Sequence, residues 1–184
     1  MKRSISFLLT CCLFLALAAC GGADTTAGAQ AAPLSDFSDV PMGAWYAESV
    51  RYLNERGIMN GTGGGSFFPE DTLKRAMIAT VLYRIAGEPL VTGEDGFSDT
   101  EPGAWYSDAV LWAAQNGVME GVGGGLFGTN DSVAQEQLAT ILWRHAGEPE
   151  TREHADTRDV SAYAQNAVQW ALENHTSVRL RMPK

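Results

Sequence analysis

The 184-residue sequence predicts an all-α fold assembled from helix–loop–helix repeats. Residues 37–89 and 97–149, laid together without a gap, agree at 24 of 53 positions. Self-similarity at a fixed spacing marks an array whose units cannot bury their apolar faces singly. Within each copy, apolar residues recur at helical spacing. Glycine and then proline punctuate each copy, with Gly57 and Gly117 after the first stripe and Gly87-x-Pro89 and Gly147-x-Pro149 after the second.

The first 19 residues read as an export signal and stand outside the fold. Lys2 and Arg3 precede an apolar run, Ile5 to Ala18, broken only by Ser6 and Thr10. That run falls short of the roughly 20 apolar residues a membrane helix needs. It ends in Leu17-Ala18-Ala19-Cys20, which resembles the lipobox of bacterial lipoproteins. The resemblance implies cleavage before Cys20 and lipid on its thiol. The alternative is that Cys20 is an ordinary small residue closing a secretory signal. Cys11 and Cys12 lie inside the signal, so the exported chain keeps one cysteine and can form no internal disulfide.

Residues 20–35 are mostly Gly, Ala and Thr with almost no bulky side chain, a composition that cannot bury enough surface to fold. They read as a flexible tether. Two or three acyl chains at Cys20 would anchor firmly where one is marginal. Without Lys2 and Arg3, eleven basic residues face 22 acidic ones, a net charge of −11. Such a balance argues against nucleic acid or an anionic membrane surface as partner.

The first repeat spans 36–90 and the second 96–150. In each, a first helix follows Ala44-Trp45-Tyr46 or Ala104-Trp105-Tyr106, and Val50, Leu53 and Ile58, matched by Val110, Ala113 and Val118, trace its stripe. Asp39, Asp99 and Asp159 read as caps of these first helices. Next comes a glycine loop, Gly61 to Phe67 and Gly121 to Phe127. It lacks the Lys-Ser/Thr of a phosphate loop, and its repetition favours a tight structural turn. The second helices are expected to start at Asp71-Thr72 and Asp131-Ser132, whose short oxygen-bearing side chains could cap them. Ser132 to Gln135 has capping-box spacing. Ile78, Val81, Leu82 and Ile85 form the inner face of the first of these helices.

The order Phe37-Ser38-Asp39-Val40, Trp45-Tyr46, a helix ending in Gly57-Ile58, a glycine loop, Phe67-x-Pro69 and then Thr72-Leu-Lys-Arg-Ala-Met-Ile-Ala-Thr-Val-Leu-Tyr-Arg84 resembles the S-layer homology (SLH) repeat of bacterial envelope proteins. The resemblance covers about residues 37–174. It implies three repeats in a pseudo-threefold arrangement, with grooves between neighbours that bind a secondary cell-wall polysaccharide, commonly pyruvylated. It also implies a cell-envelope location outside the cytoplasm and no cofactor.

The family's Thr-Arg-Ala-Glu motif is matched by Lys74-Arg75-Ala76-Met77 and by Ala134-Gln135-Glu136-Gln137. Guanidinium offers a rigid fork of donors that fits a carboxylate, which an amide cannot replace. Ligand candidates are therefore Arg75, Lys74, Gln135, Trp45 and Trp105, with Arg75 foremost. Otherwise Arg75 is a solvated charge in a first helical turn, although a cation there opposes the helix dipole and so calls for a partner. Trp45 and Trp105 are expected to be core wedges before sugar platforms, since aromatic side chains carry large burial energies. Tyr163 takes the matching place in the third copy.

That third copy is partial, residues 156–174. From Val168 onward it matches the second repeat at a shortened offset, Val110 to Val168 and Trp112 to Trp170. A helix is expected over Ala162 to Asn174 with Val168 and Ala171 packed inward. The divergent basic tail, 175–184, bears no relation to the glycine loop or second helix. Either a truncated or frame-disrupted repeat or a variant tail produces this pattern. Missing cover on neighbouring apolar surface implies self-association or a partner chain.

Catalytic groups are sparse. His145 replaces apolar Ile85 and reads as a helix-face residue; no histidine or cysteine spacing suggests a metal site, and no carboxylate pair is singled out by position. The sequence therefore reads as a non-catalytic wall-binding anchor held to the membrane by lipid, or alternatively as an assembly protein.

Overall fold

The computed structural model describes residues 37–152 and 157–174. The signal, Cys20, the tether and the basic tail lie outside the described residues. Among those described there are five α-helices, a short 3-10 turn and no strand longer than an isolated bridge. The helices are α1 (Ala47–Glu55), α2 (Arg75–Ile85), α3 (Ser107–Gln115), α4 (Gln135–His145) and α5 (Gln165–Glu173), with the 3-10 turn (Ala162–Ala164) leading into α5. None is long and apolar enough to cross a membrane.

The chain divides into two compact units, and the boundary between Asp71 and Thr72 falls inside the first repeat. The first unit holds α1 and the first glycine loop. Val50 and Leu53 are fully buried on α1, and Phe37 and Phe67 meet with ring centroids 5.4 Å apart. The Asp39 carboxylate accepts hydrogen bonds from the Phe67 and Phe68 amides at 2.8 and 2.6 Å.

In the second unit, α2 packs against α3, and α4 against α5. Each pair joins the second helix of one repeat to the first helix of the next. Ile78 and Leu82 on α2 and Val110 and Ala113 on α3 are buried. Tyr83, Trp112 and His145 form a chain of ring contacts at 5.8 and 6.0 Å. Ala139 on α4 shares a core cluster with Val160, Ala164, Ala167, Val168 and Ala171, with Trp143 and Trp170 packed against it. The expected helix in the third copy is present, and Val168 and Ala171 face inward as its sequence required.

Three expectations are corrected. The second helices start at Arg75 and Gln135, later than Asp71-Thr72 and Asp131-Ser132, and neither has a side-chain N-cap. The free N–H groups at a helix start need acceptors. For α2 those acceptors come from the next repeat: Arg75 N donates to Asp131 O at 3.0 Å and Ala76 N to Thr129 O at 3.2 Å. At α4 only half of a capping box forms, with Gln137 Oε1 accepting from Ala134 N at 2.9 Å, because alanine at the N-cap has no side-chain acceptor to return the bond.

Secondly, Asp39 and Asp99 do not cap the first helices. Both reach forward to the glycine loop of their own repeat, because a turn whose amides point inward presents several unpaired donors to one carboxylate. Thirdly, Trp45 and Trp105 are not core wedges: they are 66% and 63% exposed. In each case the neighbouring tyrosine meets the indole edge-on, at 5.5 and 5.2 Å, and holds it outward.

Candidate functional site

A groove of about 370 Å³ runs between α2 and the segment that opens the second repeat. Thr80, Tyr83 and Arg84 come from α2, and Trp105, Ser107 and Asp108 from the facing segment. The spacing of 80, 83 and 84 puts those three side chains on one helix face. The α2 wall is well fixed. Thr80 Oγ1 donates to Ala76 O at 2.9 Å, Tyr83 OH donates to Pro89 O at 3.0 Å, and Arg84 Nε lies 3.6 Å from Glu88 Oε1. Burial, reinforced by Asp108 and Glu88, pushes the Tyr83 hydroxyl pKa up, so the phenol stays protonated and polar. On the other wall the Ser107 hydroxyl lies 2.7 Å from Glu101 O and 2.9 Å from Ala104 O.

The groove thus combines a flat exposed indole, one guanidinium, two carboxylates and several hydroxyls. An open, mostly polar cleft of this kind suits a polyhydroxylated ligand better than an apolar molecule. Guanidinium pairs with a carboxylate, and the indole offers a face to the C–H side of a sugar ring.

Among the sequence candidates, only Trp105 lines this groove. Trp45 occupies the same exposed posture in the first unit. Arg75 lies apart from it, at the opposite end of α2. Its side chain is only 6% exposed, with Nε donating to Phe127 O at 2.8 Å and Nη2 to Glu120 O at 2.5 Å. The guanidinium also lies over the Phe127 ring, 4.9 Å from its centroid. Burial lowers its pKa, while Asp131 and Asp99 act in the opposite sense. Arg75 is therefore not a solvated charge. The partner that an unfavourable dipole position demanded is the pair of carbonyls bracketing the second glycine loop. Lys74 is half-buried, its Nζ 3.5 Å from Ser132 Oγ. Gln135 is half-buried at the start of α4.

Sequence reasoning missed Thr80, Tyr83, Arg84, Ser107 and Asp108. One signal could have found part of the set. Thr80, Arg84 and Glu88 recur unchanged as Thr140, Arg144 and Glu148, each four residues from the next, whereas the motif around Arg75 does not recur.

The glycine loops owe their shape to steric necessity. A Cβ on Gly121 would lie 2.6 Å from Leu126 O and 2.8 Å from Phe97 Cε1, and Gly61 is equally confined by Ser66 O and Phe37. Gly123, Gly124 and Gly125 take φ of 101°, 62° and 75°, values open to glycine and costly for other residues. Asp99 locks this loop, accepting from the amides of Phe127, Gly128 and Thr129 at 2.6, 2.8 and 3.0 Å. Among the described residues, no cluster of histidine, cysteine or acidic side chains is arranged to hold a metal ion.

The first two repeats each carry a carboxylate-locked glycine loop in an otherwise helical fold. Two stretches of the chain, residues 36–76 and 96–139, match the sequence profile of the S-layer homology domain. It is similar to the Surface-layer 125 kDa protein of Lysinibacillus sphaericus, 32% identical over 149 residues, which is 79% of this chain and 12% of that protein. An Endoglucanase of Bacillus sp. (strain KSM-635) is 28% identical over 93% of this chain and 19% of its own length. The S-layer protein sap of Bacillus anthracis is 33% identical over 58% of this chain and 13% of its own. The chain thus corresponds to less than a fifth of each of these relatives.

Proposed function

We propose that this protein is a non-catalytic anchoring module of the cell envelope that binds a secondary cell-wall polysaccharide, with a pyruvyl ketal as the acidic feature recognised. The observation that carries the reading is Trp105 facing Arg84 across an open polar groove, in a chain of which two stretches match the S-layer homology domain. In this reading Trp105 is the platform for a sugar ring and Arg84 takes the carboxylate. Trp45 offers a like platform in the first unit, and Lys74 adds positive charge at the start of α2. Arg75 acts beneath the surface, fixing the second glycine loop, and Gln135 is peripheral. The relatives include both surface-layer proteins and an endoglucanase matched over a minor share of its length, which supports an anchoring segment separable from catalysis.

The N-terminal run ending at Cys20 supports a lipid anchor in the membrane, so that one chain would tie membrane to wall from outside the cytoplasm. A net charge of −9, or −11 without Lys2 and Arg3, opposes general attraction to an acidic glycan, and recognition must be local. Sedimentation of the lipid-free protein with purified wall material, before and after removal of the polysaccharide, tests this. Retention that disappears with the polysaccharide is expected. Retention unaffected by its removal, or none at all, sinks the reading. A second reading, assembly with a partner or another copy, is favoured by the exposed Met42 and Leu90, 71% and 94% accessible. A defined oligomer without wall retention would support it.

A further inference from the structure

The two junctions of the second unit are held differently. At the first, Arg75 of α2 enters the following repeat and bonds the carbonyls of Glu120 and Phe127 on either side of its glycine loop. At the second, the residue matching Arg75 is Gln135, and the next residue, Glu136, does the joining. Its carboxylate accepts from Ser161 N at 3.2 Å, Ser161 Oγ at 2.9 Å and Tyr163 OH at 2.9 Å. The residue matching Glu136 in the first repeat is Ala76, which could form none of these bonds.

The exchange follows the third copy's sequence. At the offset that matches Val110 to Val168, the places of Gly121, Gly123, Gly124 and Gly125 fall to Arg179, Arg181, Met182 and Pro183. That sequence supplies none of the glycines the loop backbone requires. Proline fixes its own φ in the negative region, where the loop needs a positive value. A carboxylate at 136 meets the hydroxyls and amide that open the third copy.

The exchange also changes the aromatic residue. Trp105 and its counterpart Tyr163 are both exposed, and what distinguishes Tyr163 is that its hydroxyl is bound to Glu136. Arg144 and Arg84 share the pairing to the glutamate four residues on, at 3.9 Å to Glu148 and 3.6 Å to Glu88, and Arg144 has in addition Glu120 at 3.2 Å.

We propose that Glu136 is a positioning residue that clasps the partial third repeat to α4, making the second junction a structural seam and leaving one ligand groove in the second unit, at Trp105. The clasp stands on its own geometry, while the number of grooves rests on the wall-binding reading above.

The test is backbone amide hydrogen exchange in the full chain. In Glu136→Ala, amides of residues 165–173 should exchange about ten- to a hundredfold faster, the span expected for losing charge-assisted hydrogen bonds, while α2 and α3 keep their protection. Tyr163→Phe, which removes one of the three bonds, should give a smaller increase and covers the case in which Glu136→Ala does not fold. Unchanged exchange over 165–173 in Tyr163→Phe and in a folded Glu136→Ala overturns the clasp. Titration with polysaccharide released from purified walls should lose the second unit's site with Trp105→Ala and be unaffected by Tyr163→Phe. A site lost with Tyr163→Phe overturns the single groove. Absence of any binding would count against the wall-binding reading, and the exchange result would still decide the clasp.

Discussion

Asp99 Oδ1 accepts a hydrogen bond from the Phe127 amide at 2.6 Å, and at the matching place in the first repeat Asp39 makes the same bond to Phe67 at 2.8 Å. One carboxylate thereby satisfies amides of a turn that no helix or strand could pair. Asp99→Ala should destabilise the second unit by about 3 kcal/mol, since charge-assisted bonds contribute about 1.5–3 kcal/mol and buried amides lose their acceptor. Asp99→Asn keeps one carbonyl oxygen and should cost less. Urea unfolding followed by tryptophan fluorescence measures both, and equal midpoints for wild type and Asp99→Ala would remove Asp99 from the account.

Stability should depend on pH in a direction set by these groups. For Asp39, Asp99 and Glu136, burial raises the pKa, but the hydrogen bonds each carboxylate accepts outweigh it and hold all three below their ordinary values. Their contribution is therefore present above the unfolded pKa, about 4, and is lost as pH falls through the folded one. Burial lowers His145, so the neutral form is favoured and stability declines as pH drops below about 6.5. Tyr163 is pushed up to about 12 by burial and by Glu136, so its contribution is complete below about 10 and is lost as pH rises through 12. The melting temperature should fall on both sides of a neutral plateau, most steeply below about pH 4. A flat profile from acid to neutral pH would contradict the carboxylate bonds.

Arg75→Ala leaves two carbonyls without their donor in a buried place and should cost about 2–4 kcal/mol. Arg75→Lys recovers only part, because one ammonium cannot reproduce the two-pronged contact of a guanidinium. Gln135→Ala should change stability by less than about 0.5 kcal/mol. Retention on wall material should be lost with Arg75→Ala in step with unfolding of the loop. A destabilised but folded Arg75→Ala that binds normally would separate the loop from the site.

Trp105→Ala should behave oppositely, lowering retention on wall polysaccharide at least about tenfold, equivalent to roughly 1.4 kcal/mol, with little change in melting temperature. The ring is 63% exposed, so its removal leaves little cavity. Arg84→Gln should also weaken binding. Undiminished binding by both variants would place the ligand elsewhere.

Cys20→Ser should move the protein from the membrane fraction to the soluble fraction, because two or three acyl chains anchor firmly and none anchors at all. Intact-mass analysis of the wild type should show added acyl mass on the residue. A mass matching the unmodified chain would end the lipid reading.

The sequence by itself determined the helical class, the repeating unit, the helix stops at Gly57 and Gly117, and the helix in the partial third copy. All are local: a stripe at helical spacing and a glycine after it are read within a short window. It also carried the groove residues Thr80 and Arg84 in plain view as repeated positions. Only the tertiary structure decided what Arg75 and Trp105 do. From the sequence Arg75 reads as a ligand candidate or else a solvated charge, and Trp105 as a core wedge; Arg75 is instead bonded to buried backbone carbonyls and Trp105 is exposed. Arg75 is placed by contacts between repeats, whereas the outward turn of Trp105 is held by Tyr106 of its own repeat. The second helix of one repeat packs on the first helix of the next, so Arg75 is buried by the glycine loop of the following repeat, and Trp105 stands in a groove whose other wall is α2. Nothing within either residue's own repeat specifies that neighbour.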